Sequence, residues 1–284
     1  MAKDRALVYS EESEPQKTLK PKIMKNGILF QCFFPEARKV KLLFGKKKRE
    51  YKMEMQDEAG FFACLIPEKQ ILNYTYQVFL KNGEEKLVQD PYYFESQITE
   101  EEEKKFCAGI CYDIYEKLGA HYQKIKGVWG VHFAVWAPNA LRVSVVGDFN
   151  HWDGRVHPMN RLSRSGIFEL FIPGVKLSDL YKYEIKTKDL RVFLKADPYA
   201  NQAEVRPCNA SVVTDLSGYQ WEDSLWMNKR GKLQGEDRPL SIYEVHLGSW
   251  KKPEDGREFY NYRELAKMLC AYVKEMGYTH VELL

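Results

Sequence analysis

The sequence predicts a mainly β protein: two tandem β-sandwiches followed by one βαβ unit. Three observations lead there. Residues 28–94 and 131–200 repeat one pattern of period-two strands in the same order. Gly, Pro, Asn and Asp interrupt those runs at short intervals, as antiparallel strands with one buried face require. From residue 240 onward the period changes to apolar strand, amphipathic helix, apolar strand.

The opening stretch, MAKDRALVYSEESEPQK, is polar and has no apolar run of the signal-peptide kind, so residues 1–22 are expected to be a flexible tail. The first sandwich is placed at 23–98. In ILFQCFFPEARKVKLLF an alternating strand meets Pro35, and Lys39 introduces the next strand; GKKKRE at 45–50 reads as a hairpin turn. GFFACLIP (Gly60 to Pro67), NYTYQVF and DPYY (Asp90 to Tyr93) complete the copy. Residues 99–126 form a linker, in which Thr99 followed by Glu102 is a capping-box start for a short, solvated helix.

The second sandwich, 127–218, restates the pattern: VHFAVWAPNALRVSVVG with Pro138 and Arg142, GIFELFIP (Gly166 to Pro173), LYKYEIK and DPYA (Asp197 to Ala200). In each copy the Asp follows a strand tyrosine, Tyr76 or Tyr183, by fourteen residues. Each copy is expected to be a sandwich of about seven strands of the immunoglobulin-like kind. A connector covers 219–239. Residues 240–284 hold the strand in SIYEVHLGSW and a helix whose Leu265, Met268, Leu269, Tyr272, Val273 and Met276 share one face. Asn261 and Glu264 cap that helix, Gly277 ends it, and YTHVELL is the second strand, parallel to the first.

Composition narrows the function classes. Of 284 residues, 44% are hydrophobic and 29% charged, enough for two ordinary cores. The 43 basic and 40 acidic residues are interspersed, so no basic stripe is set up for nucleic acid. No run of 18 apolar residues suggests a membrane span, and a cytoplasmic location is expected. The six cysteines are scattered, four in apolar or strand-like settings that suit small buried thiols. Cys107 and Cys111 in CAGIC could share a helix face, but no second ligand pair accompanies them, so neither a metal site nor a cofactor is expected.

The most suggestive side chain is Trp152 in GDFNHWDG, which follows a strand and sits among turn formers. An exposed indole there offers a flat apolar face to a sugar ring, with the Asn150 amide near; the other reading folds Trp152 over the sandwich edge as a lid. Lys182, between Tyr181 and Tyr183, faces away from both rings and is either a contact for a sugar hydroxyl or a solvated strand lysine. Trp129 and Trp136 read as core and edge packing. Glu244 and His246 share a strand face without a third orienting group, so no catalytic residue is assigned.

WAPNALRVSVVGDFNHWDGRVHPM, SGIFELFIPGV, LYKYEI, LKADPYA, SIYEVHLGSW, YRELA and MGYTHVELL together resemble the bacterial 1,4-α-glucan (glycogen) branching enzymes of the α-amylase superfamily. The resemblance runs from about residue 25 to the end. It implies an N-terminal sandwich, a second sandwich of the family 48 carbohydrate-binding type, and a (β/α)8 catalytic barrel. Its expected partners are α-glucans: glycogen, amylose and maltooligosaccharides.

Such a barrel takes about 250 residues, and 240–284 supply only its first two strands, an incomplete barrel. The branching reaction implied by the resemblance is a retaining transfer needing two carboxyl groups about 5–5.5 Å apart; no residue here matches either. The expectation is therefore the N-terminal part of a branching enzyme, inactive alone. The alternative is a stand-alone glycogen- or starch-binding protein built on the tandem sandwiches.

Overall fold

The computed structural model describes residues 2–233 and 237–284. Residue 1 of the expected tail and residues 234–236 of the expected connector lie outside the described residues. The chain forms two compact units, Met1–Gly218 and Tyr219–Leu284.

Residues 2–22 are not a loose tail. They form α1 (Ala2–Val8) and α2 (Gln16–Leu19), and Leu7 and Leu19 are buried in a core shared with the second β-module. The Arg161 amide donates to the Ser13 carbonyl at 2.7 Å, and Lys186 Nζ donates to the Tyr9 carbonyl at 3.0 Å. Burying each leucine contributes roughly 2 kcal/mol. Two isolated leucines in a polar stretch give no periodic signal, which is why the sequence reads as a tail.

The first module contains β1 (Lys22–Met24), β2 (Gly27–Phe33), β3 (Ala37–Phe44), β4 (Arg49–Lys52), β5 (Glu54–Asp57), β6 (Phe61–Ile66), β7 (Tyr74–Leu80) and β8 (Glu85–Val88). They make two antiparallel four-stranded sheets, ordered β1-β2-β6-β5 and β4-β3-β7-β8. Alternate residues of both sheets, Phe30, Phe62 and Ile66 from one and Val40, Leu42 and Tyr76 from the other, fill one core.

A linker helix, α3 (Glu100–Cys107), begins at a Thr99–Glu102 capping box. Glu103 leaves its otherwise solvated acidic face and accepts the Arg164 and Ser165 amides at 3.1 and 2.9 Å. Because α3 ends at Cys107, Cys111 lies beyond it and the two thiols do not share a helix face. The expectation of buried thiols also fails for Cys208 and Cys270, which are exposed; Cys32 is buried and Cys64 half-buried.

The second module holds β9 (Gly119–Ile125), β10 (Val128–Trp136), β11 (Ala140–Gly147), β12 (Asn160–Arg161), β13 (Ile167–Pro173), β14 (Leu180–Thr187), β15 (Val192–Lys195) and β16 (Ser211–Val212). Its sheets are β9-β10-β13-β12 and β11-β14-β15, with β16 pairing the start of β14. The repeat seen in sequence is thus a repeat in topology: β1-β2-β6-β5 matches β9-β10-β13-β12, and β3-β7-β8 matches β11-β14-β15. β4 has no counterpart strand.

Two devices recur at matching positions. Gly60 (φ +108°) and Gly166 (φ +73°) both lie against the turn before the next strand: a Cβ would come within 2.7 Å of the Pro35 and Pro138 Cα atoms respectively. The second device is a buried carboxyl under two tyrosines. Tyr74 and Tyr76 donate to Asp90 Oδ2 at 2.7 and 3.3 Å, and Tyr181 and Tyr183 donate to Asp197 Oδ2 at 2.6 and 3.2 Å. In both, Oδ1 accepts the amide two residues on, Tyr92 at 2.9 Å and Tyr199 at 2.8 Å. The modules also meet directly: Tyr92 Oη donates to the Pro158 carbonyl at 2.9 Å, and Phe94 and Phe171 pack edge to face at 4.6 Å.

The second unit contains α4 (Ser224–Leu233), β17 (Ile242–Val245), α5 (Leu247–Trp250), α6 (Tyr262–Glu275) and β18 (His280–Leu283). β17 and β18 pair in parallel with Ile242 opposite His280, and α6 starts at the expected Asn261–Glu264 capping box. LGSW, expected within the strand, instead forms the single turn α5, held by Trp250 Nε1 donating to Tyr243 Oη at 3.0 Å. Val245 is buried, but Ile242, Val281 and Leu283 are exposed.

Burial pushes the Asp90 carboxyl up to about 6, against the pull of its three donors. In the unfolded chain it ionises near 4. Its contribution to stability is therefore full below about pH 4 and lost as the pH rises through about 6. Urea unfolding from pH 4 to 6 should show the wild type losing stability relative to Asp90→Asn, by up to about 3 kcal/mol. A difference that stays flat with pH would mean that Asp90 titrates as an ordinary carboxyl.

Candidate functional site

Where the first module places β4 along β3, the second runs a loop, residues 148–158, beyond the end of β11. The returning chain keeps that edge satisfied: the Val145 amide donates to the His157 carbonyl at 3.1 Å and the Met159 amide to the Val143 carbonyl at 2.8 Å. The loop therefore sits on a rigid strand while its outer turn stays free of ladder pairing.

At that turn His151 and Trp152 both take the left-handed backbone region, φ +56° and +59°. For residues with a Cβ this costs on the order of 1 kcal/mol each. Asn150 is what holds the turn there. Its Oδ1 accepts the Gly147 amide at 2.9 Å, and its Nδ2 donates to the Val145 carbonyl at 2.8 Å and to His157 Nδ1 at 2.9 Å. The Trp152 amide donates to the Gly147 carbonyl at 2.9 Å, and the half-buried indole donates through Nε1 to Asp148 at 2.8 Å. Asn150, expected from the sequence near a sugar, is buried with every polar atom of its amide on a protein partner, so it positions the loop.

Beneath the loop Arg142, itself buried, donates to the Gly154 carbonyl at 2.7 Å and to the side chains of Ser144 and Glu184. The matching residue of the first module, Lys39, is exposed. Nothing in the sequence separates the two; the difference arises because a loop covers one and solvent the other.

Lys182 pairs with Val146, one residue before the β11 terminus. Tyr181 and Tyr183 are buried on the core side and Lys182 lies on the outer face. Its Nζ donates to Asn209 Oδ1 at 2.5 Å. Leu194 stands opposite Glu184 in the β14–β15 ladder, which puts this exposed side chain on the face of Lys182. Sequence reading missed Leu194 and Asn209. The strand pattern of VFLK could have suggested the first, but Asn209 comes from an irregular segment with no periodicity to reveal it.

Trp129 and Trp136 are more than half exposed, against the expectation of core and edge packing. Trp129 stacks on Tyr122 at 4.9 Å, and Trp136 donates to the Ser165 carbonyl at 2.8 Å. Among the described residues no group of three or more His, Cys, Asp or Glu could hold a metal ion, and no helix is long and apolar enough to cross a membrane.

Removing the Asn150 amide leaves the Gly147 amide without its side-chain acceptor. Asn150→Ala should lower stability by about 1–3 kcal/mol, read as a reduced midpoint in urea. A midpoint equal to the wild type would show that the loop does not rest on this amide.

The chain is similar in sequence to known proteins. The family model for the alpha-1,4-glucan branching enzyme GlgB N-terminal domain matches residues 2–92, and that for carbohydrate-binding module 48 (isoamylase N-terminal domain) matches residues 117–200. The 1,4-alpha-glucan branching enzyme GlgB of Thermosynechococcus vestitus is 45% identical over 277 residues, covering 89% of this chain and 36% of its own length. That of Rubrobacter xylanophilus is 44% identical over 281 residues, covering 99% and 38%. Among solved structures, a pullulanase from Anoxybacillus sp. LM18-11 complexed with maltotriose is similar with TM-score 0.43 and 22% identity, covering 90% of this chain and 37% of that one. The chain thus spans little more than a third of the length of the curated relatives it matches. By sequence it belongs to the GlgB branching-enzyme family, matching the N-terminal part of its members.

Proposed function

We propose that this chain is the glucan-holding front of a 1,4-α-glucan branching enzyme. In this reading both modules are immunoglobulin-like sandwiches, placed at 23–98 and 127–218, and β17, α6 and β18 open a (β/α)8 barrel. The exposed apolar side chains of Ile242, Val281 and Leu283 support that assignment, because parallel barrel strands are covered on both faces. In this reading the reaction of the whole enzyme, cleavage of an α-1,4 bond and transfer to a glucan 6-hydroxyl, is the work of a closed barrel, and no residue of this chain is assigned to it.

The observation that carries the proposal is the exchange of β4 for a braced loop bearing Trp152. A strained turn, an indole fixed by Asp148 and an outer sheet face bearing Lys182, Leu194 and Asn209 are what an α-glucan needs. Apolar sides meet the CH-rich faces of its rings, and an amine and an amide meet its hydroxyls. The first module has a lysine-rich turn at the same place, so one glucan platform is expected from the pair.

Affinity electrophoresis in glycogen-containing gels tests this. Trp152→Ala should weaken retention between about ten- and a hundred-fold, as loss of an indole stacking face implies, with an unchanged circular-dichroism spectrum. Lys182→Met should weaken it less. Retention of Trp152→Ala equal to the wild type would leave Trp152 as a lid on the sandwich edge and remove the basis of the reading.

A further inference from the structure

Between the two β-modules of the first unit lies a cavity of about 200 Å3. Phe34, Tyr76 and Val88 line it from the first module, and Phe149, Val156 and His157 from the second. The charges at its mouth are matched: Arg155 meets Asp153 at 2.7 Å and Glu36 at 3.4 Å, and Lys86 meets Glu84 at 3.5 Å. Deeper in, the Asp90 carboxyl already accepts three donors, and the Asn150 amide is spent within its loop.

His157 is the exception on this wall. Asn150 Oδ1 is committed to the Gly147 amide, so the nitrogen end of Asn150 faces His157 Nδ1 at 2.9 Å. Nδ1 must then be the acceptor, which places the ring proton on Nε2. Nε2 has no hydrogen-bond partner among the described residues. Desolvation agrees with a neutral ring, holding its pKa down to about 4. The same side chain also borders an open groove beside Thr75 and Pro173.

A cavity of about 150 Å3 with apolar walls accepts benzene, so this one has room for a ring and a short substituent. A hexose is poorly served, because the inner amide is spent and the inner carboxyl keeps at most one acceptor site for its several hydroxyls. We infer that this inter-module cavity binds a small, neutral, ring-bearing molecule with one hydrogen-bond acceptor, its ring between Tyr76 and Phe149 and its acceptor on His157 Nε2. The site is independent of the glucan platform, although its second-module wall is the loop that carries Trp152. A molecule seated there touches both modules and favours their docked state.

Acetophenone, a neutral aryl ketone, is a suitable probe. Titrated into the chain and followed by amide chemical shifts, it should bind saturably, perturb Val88, Phe149 and Val156, and raise the thermal midpoint. Val156→Trp and, as a milder filling, Val88→Met should abolish or weaken binding; circular dichroism identifies a variant that fails to fold, and the remaining one then decides. His157→Phe keeps a ring and deletes the donor, so affinity should fall about tenfold. Absence of saturable binding, binding unchanged in a folded cavity-filling variant, an unaffected His157→Phe, or displacement of acetophenone by maltose would each overturn the inference.

Discussion

A carboxyl group taken out of water must find donors or stay neutral, and the first unit makes that bargain twice. Asp90 and Asp197 each sit under two tyrosines and over one backbone amide. The tyrosines belong to β7 and β14, strands with paired neighbours on both sides, while each aspartate belongs to the segment that leaves its module. The bond set therefore fixes where the departing chain leaves the sheet. In the first copy it aims Tyr92 at the Pro158 carbonyl and brings Phe94 against Phe171, so the docking of the two modules follows from the same constraint. Burial raises the pKa of the tyrosines as well, so the hydrogen-bonded neutral phenols persist across ordinary pH.

Against this shared frame the copies differ at their edges, most of all beside β3 and β11. β4 gives the first module a fourth strand on its second sheet; in the second module the chain leaves the ladder after β11 and returns to it at His157. A strand spends its backbone groups on its neighbour, and its side chains point to fixed faces. A loop held at both ends and braced by Arg142 and Asn150 can keep an indole and two left-handed residues in one place. Regular pairing is given up at this edge, and the buried polar groups beneath it make the departure tolerable.

Much of this was legible in the chain itself. The order of strands, both capping boxes and the parallel unit at the end follow from periodicity and turn chemistry, because those signals are local. So was the Tyr-to-Asp spacing, although it announced a repeat and not the hydrogen bonds behind it. What escaped was set by tertiary packing. Leu7 and Leu19 are buried in a core they share with strand residues such as Phe33, Val145 and Phe168, and Asn150 reads as any turn former until its three partners are seen. Leu194 and Asn209 join Lys182 only through cross-strand register and an irregular return of the chain. Trp129 and Trp136 were misplaced because alternation predicts which side of a strand a residue faces, not whether the opposite sheet reaches far enough to cover it.

The twin carboxyl–tyrosine closures also bear on how such a chain could have come about. Each one ties the end of a module back to that module's own sheet, so the exit of the chain is fixed within the copy itself. A segment closed in this way can be duplicated in a gene, or dropped from it, without leaving its last strand untethered. The descendants are then free to diverge at their edges. One copy here has a lysine-rich turn and the other an aromatic loop, while the hidden fastening is the same in both.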